Sequence, residues 1–131
     1  MAEVRALATD GVVVIDGEVV LLQRDHDPHE GAWVLPGGLV EPDERVREAC
    51  AREVSEEVGL DVEPFTFVGL YDDPDRDERG NVSAAYRCRV LGNDPRPEAR
   101  AEARAVDTFD PHALPEMGFD HAAIVEDAVT I

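Results

Sequence analysis

Lysine is absent from this 131-residue chain. All twelve bases are arginine, set against thirty aspartates and glutamates for a formal net charge of −18. A chain this anionic repels phosphate backbones, which excludes nucleic acid as a partner. Anionic membrane surfaces are excluded on the same ground. The acids are spread along the chain rather than gathered in a tail, so they read as a solvated surface. A surface so dense in carboxylates suits a protein kept soluble in molar salt, and a halophilic source is expected. Cysteine is scarce too. Cys50 and Cys88 form no C-x-x-C pair, which excludes a disulfide framework and a thiolate metal site; both read as small core residues. No apolar run approaches the roughly 20 residues of a membrane span. Met1 to Arg5 does not lead into the apolar segment of a secretory signal, so a cytoplasmic address is expected.

What is present is enough for one core, and residues 1–131 are expected to form a single domain. Val12-Val13-Val14-Ile15 and Val19-Val20-Leu21-Leu22 flank Asp16-Gly17, the signal of a β-hairpin. A polar loop, Arg24 to Gly31, leads to Trp33-Val34-Leu35, which Pro36-Gly37-Gly38 breaks. Val46, Cys50, Val54 and Val58 recur every four residues and predict a helix over Glu44 to Val58. Pro42 suits its first turn, Asp43 and Glu44 its positive end, and Gly59 its stop. Val62 to Tyr71 and the alternating Val82 to Val90 predict strands around a charged loop, Asp72 to Gly80. Arg104 to Phe109 predicts a last strand and Phe119 to Val129 a last helix. The order fits a mixed sheet flanked by helices.

Glu53, Glu56 and Glu57 stand at i, i+3 and i+4 and so project from one face of the predicted helix. Three carboxylates this close repel one another unless something neutralises them. Hard oxygen donors favour magnesium, with manganese as the alternative. Gly37-Gly38, just upstream, lets backbone approach a ligand closely and offers carbonyl oxygens to the same ion. Arg52 can brace the acids from Glu48 to Glu56 without being a ligand.

The complete spacing is Gly38, five residues, Glu44, seven residues, then Arg52-Glu53-Val54-Ser55-Glu56-Glu57-Val58-Gly59-Leu60. It resembles the signature of the Nudix hydrolases at every fixed position. The resemblance implies an α/β/α sandwich and hydrolysis of a nucleoside diphosphate linked to another moiety. It implies Glu53, Glu56 and Glu57 as magnesium ligands, the Gly38 carbonyl as a further one, and Arg52 and Glu44 as orienting residues. Relatives differ in their general base. Glu53 represents the version on the helix; Glu102, in Ala101-Glu102-Ala103-Arg104, represents the version on a later loop, with a surface acid as its other reading.

Substrate choice rests on other residues. Pro74 follows Gly59 by fifteen residues within Asp72-Asp73-Pro74-Asp75-Arg76-Asp77-Glu78-Arg79-Gly80. This setting resembles the ADP-ribose pyrophosphatase branch, as do Glu102 with its neighbours and Phe119-Asp120-His121. The implied reaction is ADP-ribose plus water giving AMP and ribose 5-phosphate; an oxidised deoxynucleoside triphosphate, NADH or a dinucleoside polyphosphate is the alternative, and a nucleotide-sensing domain without catalysis the third. Arg76 and Arg79 either contact phosphate and ribose or pair with the aspartates of their own loop. Trp33 either stacks on a base or belongs to the core. His26 and His29 read as loop residues and His121 as structural. The branch also implies a homodimer.

Overall fold

The computed structural model describes residues 2–131. Its elements are β1 (Leu7–Ile15), β2 (Glu18–Arg24), β3 (Trp33–Val34), β4 (Gly37–Leu39), α1 (Val46–Val58), β5 (Val62–Tyr71), β6 (Val82–Val90), β7 (Ala103–Phe109) and α2 (His121–Thr130). The sheet runs β3-β2-β1-β6-β5, with β4 also paired to β1 and β7 to β2. The β1–β6 pair is parallel and the others antiparallel, so the sheet is mixed. β1 divides along its length. Its first half pairs with β4 (Asp10 opposite Gly37) and its end with β2 (Val14 opposite Val19).

The hairpin turn is Asp16-Gly17, both residues at positive φ (50° and 81°), as a two-residue loop between twisted strands requires. The runs on either side are apolar throughout because both faces of the sheet are covered. Val13, Val20 and Leu22 point to one side, where they pack with Cys50, Val54 and Val58 of α1. Val12, Val19 and Leu21 point to the other, against Ile124, Val125 and Ala128 of α2. The result is an α/β/α sandwich. At Gly11 the helix comes so close that a Cβ would lie 2.9 Å from Val54, a place where a strand glycine earns its position. Cys50 and Cys88 are both buried and free, Sγ to Sγ at 3.8 Å across the α1–β6 contact.

Helix α1 starts two residues later than its sequence suggests. Pro42 and Glu44 lie before it, and the backbone N–H of Arg45 donates to Glu48 (2.7 Å), which closes the N-terminus. Gly59, at φ 70°, ends it by donating to Ser55 O. α2 likewise begins at His121, because Phe119 adopts φ 53° and cannot be helical.

Arginine pairs on the surface are few for thirty acids: Arg89–Glu63, Arg96–Asp94 and Arg100–Glu98 are exposed examples. Each is worth little alone, and the remaining acids repel one another. Raising KCl from about 0.1 M to about 2 M is therefore expected to raise the thermal midpoint, read by circular dichroism. A midpoint unchanged or lowered over that range contradicts this account of the surface. No helix among the described residues is long and apolar enough to cross a membrane.

Candidate active site

The half-split of β1 leaves an open cleft of about 590 Å³ between the β4 end of the sheet, α1 and the loops after β2, β5 and β7. Glu53, Glu56 and Glu57 enter it from α1, Gly37 and Gly38 from β4, Arg76 and Arg79 from the β5–β6 loop, and Glu102 from the loop before β7. Two sequence candidates lie outside its lining: Arg52, which acts on the acids from behind, and Trp33. For Trp33 the reason is packing. Its ring packs edge-on against Phe109 (centroids 4.9 Å apart) on the α2 side of the sheet, among core residues.

Arg52 organises the acids. It donates to Glu44 (2.6 and 3.0 Å), Glu53 (2.9 Å), Glu56 (3.2 Å) and the carbonyl of Leu39 (3.1 Å). Glu48, a sequence partner of Arg52, is instead spent on the helix N-terminus. Glu44 thus acts from just outside the helix, and Arg52 holds its carboxyl below the usual range. Glu57 accepts from the Gly37 N–H at 2.7 Å. Burial pushes the Glu57 carboxyl up to about 8, outweighing that hydrogen bond, and Glu53, Asp10 and Glu102 add to the rise. Burial pushes Glu53 up as well, against the pull of Arg52.

The glycines are dictated by contact. A Cβ on Gly37 would lie 2.2 Å from Thr9 O, and one on Gly38 2.5 Å from the Glu53 carboxyl carbon. Backbone and carboxylate therefore touch where only hydrogen fits. As the side chains stand, no three carboxylate, imidazole or thiol groups among the described residues surround one point, because Arg52 and Gly37 hold the glutamates. The donor set still fits a hard divalent ion: three carboxylates from one helix face and adjacent main-chain carbonyls, with Glu56 half exposed.

Of the two arginines of the β5–β6 loop, one leaves the local pairing that the sequence offered and one keeps it. Arg76 passes over the aspartates of its own loop and makes a two-pronged pair with Asp120, at 2.7 and 2.8 Å, at the head of α2; its side chain is 4% exposed. Arg79 does pair locally, with Asp77 (2.9 and 3.0 Å). Burial pushes the Asp77 carboxyl up, but the side chain and backbone N–H of Arg79 bring it net below its ordinary value. Glu102 is exposed at the rim, 3.6 Å from His26.

Sequence reading missed Arg24 and Asp10 and named Phe119 only within the Phe119-Asp120-His121 resemblance; all three line the cleft. Two left signals: Arg24 is the one base between Arg5 and Arg45, and Asp10 is a charge at the mouth of an apolar strand. Asp10 accepts from Ser83 (2.5 Å) and faces His121 Nε2 at 3.6 Å. His121 Nδ1 accepts from the backbone N–H of Leu35 (3.0 Å), so its proton sits on Nε2 toward Asp10. The imidazole thereby ties α2 to the segment that carries Gly37 and Gly38.

Burial pushes the His121 pKa below its ordinary value, although Asp10 and Asp120 oppose it. The unfolded chain titrates near 6.5. The folded state therefore takes up the proton less readily, and stability present above about pH 6.5 is lost as pH falls toward the folded pKa. Urea midpoints at pH 7 and pH 5 should show this loss, and His121→Gln, which keeps an acceptor for Leu35, should shrink the difference. An equal pH 7 to pH 5 difference in both proteins contradicts the assignment.

The NUDIX domain family profile matches residues 5–128. An ADP-ribose pyrophosphatase of Methanocaldococcus jannaschii is 39% identical over 123 residues, spanning 93% of this chain and 72% of that one. Among solved structures, an ADP-ribose pyrophosphatase from Streptococcus suis matches with a TM-score of 0.77 at 27% identity, over 93% of this chain and 90% of that one. A MutT NUDIX hydrolase from Burkholderia pseudomallei matches with a TM-score of 0.80 at 26% identity, over 95% and 98%. The family match covers nearly the whole chain and the signature is uninterrupted from Gly38 to Leu60: the chain belongs to the NUDIX family, and its fold and signature are those of a Nudix pyrophosphohydrolase.

Proposed function

We propose that residues 1–131, as a single Nudix domain in the cytoplasm, hydrolyse the diphosphate of ADP-ribose to AMP and ribose 5-phosphate with magnesium, or manganese in its place. The observation that carries the reading is Glu53 against Gly38 and Glu57 on the Gly37 N–H, with Glu56 from the same helix face, in one cleft with three arginines. The substrate is supported by the name of the M. jannaschii relative and by the Asp72–Gly80 loop.

Glu53, Glu56, Glu57 and the Gly38 carbonyl would hold the ion, which supplies charge neutralisation for the diphosphate and a more acidic bound water. The rest is done by the chain. Arg52 fixes Glu53 and Glu56 in orientation while Glu44 anchors Arg52. Glu53 is the general base in this reading: its side chain is 15% exposed, burial makes it more basic, and it rests against Gly38. Glu102, 70% exposed on its loop, guards the mouth of the cleft. Glu57, whose carboxyl burial pushes up to about 8, would give up its proton to hold the ion.

The test is a product assay in molar KCl with magnesium, offering ADP-ribose, 8-oxo-dGTP, NADH and a dinucleoside polyphosphate. AMP from ADP-ribose at the highest kcat/KM is expected. Preference for 8-oxo-dGTP would move the substrate within the family. Tight binding of every nucleotide with no turnover would favour the sensing domain. Sedimentation of the same sample tests the homodimer that we include in this reading.

A further inference from the structure

Three arginines line the cleft, and they differ in what neutralises them. Arg76 is spent on Asp120, with its remaining terminal nitrogen on Asn81 O (3.0 Å). Arg79 turns one edge to Asp77. Arg24 has no carboxylate at ion-pair distance among the described residues. Its Nε donates to Pro28 O (2.5 Å) and a terminal nitrogen to His26 Nε2 (3.3 Å). In a chain with thirty acids, a half-buried cation that faces the substrate cleft lacks its own counter-ion.

Arg24 is also placed beside another cation. Its Cζ lies 5.4 Å from the centroid of the Phe119 ring, and that of Arg79 lies 5.5 Å from the same ring. The negative face of an aromatic ring attracts guanidinium, but two like charges at one ring repel each other. Phe119 itself sits at φ 53°, a conformation that a bulky side chain adopts only when its surroundings impose it. Burial and Arg79 together push the Arg24 pKa down, against Glu57 and Glu102. An anion between the two guanidinium groups would relieve both the repulsion and the missing pairing. Planar, multi-donor guanidinium suits phosphate oxygens best.

We propose that Arg24 and Arg79, held together on the ring of Phe119, bind the non-bridging oxygens of a substrate phosphate, with Phe119 as the positioning residue for the pair. This rests on the pyrophosphohydrolase reading and adds to it the groups that receive the phosphate away from the glutamates.

The experiment is calorimetric titration with magnesium and α,β-methylene ADP, whose bridge is not hydrolysed, with adenosine as the uncharged control. Arg24→Gln should weaken the methylene analogue by about tenfold or more, and Arg24→Lys by less. Phe119→Leu keeps both charges and should also weaken it, because the pair is no longer aligned. Adenosine binding should be the same in all four proteins. Arg24→Gln binding the analogue within twofold of wild type overturns the proposal, as does equal loss of analogue and adenosine. Thermal unfolding checks each variant; if Arg24→Gln does not fold, Arg24→Lys and Phe119→Leu decide, and wild-type affinity in both overturns it. Turnover by the wild type is a separate outcome. Turnover with an Arg24-independent affinity removes the clamp alone, and Arg24-dependent binding with no turnover removes the hydrolase reading alone.

Discussion

Glu53→Gln lowers kcat for ADP-ribose by about 10²–10⁴ while the protein keeps its fold. The amide is the same size as the carboxylate and stays against Gly38, so packing is preserved. Arg52 loses a charged partner but keeps Glu44, Glu56 and Leu39 O. What disappears is the basic, metal-competent oxygen on the buried side of the cleft. Glu102→Gln is expected to cost about tenfold or less, because that side chain is largely solvated at the rim. Steady-state kinetics on the two variants, with far-ultraviolet circular dichroism as the folding control, ranks them. A reversed order, with Glu102→Gln the inactive protein, would transfer the base to the loop.

Gly37→Ala destabilises the fold itself, by about 3 kcal/mol and so by about 10 °C in thermal midpoint for a chain of this size. The cause is contact alone, since Gly37 is not at positive φ. The new Cβ would sit 2.2 Å from Thr9 O and 2.4 Å from Asp10 Oδ1, both in the strand it pairs with. Backbone cannot step aside without opening the β1–β4 ladder and moving the N–H that Glu57 accepts from. Gly38→Ala meets only the flexible end of Glu53 and should cost activity more than stability. Thermal melts of both variants separate the two effects; equal midpoints would show that β4 is not held as tightly as these contacts require.

The contrast between those glycines shows what a linear reading reaches. The periodicity of Val46, Cys50, Val54 and Val58 placed α1 on the sheet and its glutamates in the cleft, because helical spacing is local. The hairpin was legible for the same reason. Long-range pairings were not. Arg76 reads as the partner of its neighbouring aspartates, yet it reaches Asp120, forty-four residues on, because the loop folds back over the head of α2. Trp33 reads more readily as a core residue than as a stacking platform, and the position of Phe109 on β7 decides it. Phe119 looked like a helix start, whereas its positive φ is imposed by the packing of His29, His121 and two arginines around it. The start of α1 slipped because Glu44 is more useful to Arg52 than to the helix dipole.

The most direct test follows the phosphorus itself. In a ³¹P spectrum of ADP-ribose with magnesium and this protein, the diphosphate resonances should give way to two phosphomonoester signals of equal area, AMP and ribose 5-phosphate. Glu53→Gln under the same conditions should leave the diphosphate signals standing. Persistence of the diphosphate with the wild-type protein, or inorganic phosphate as the product, would contradict the account.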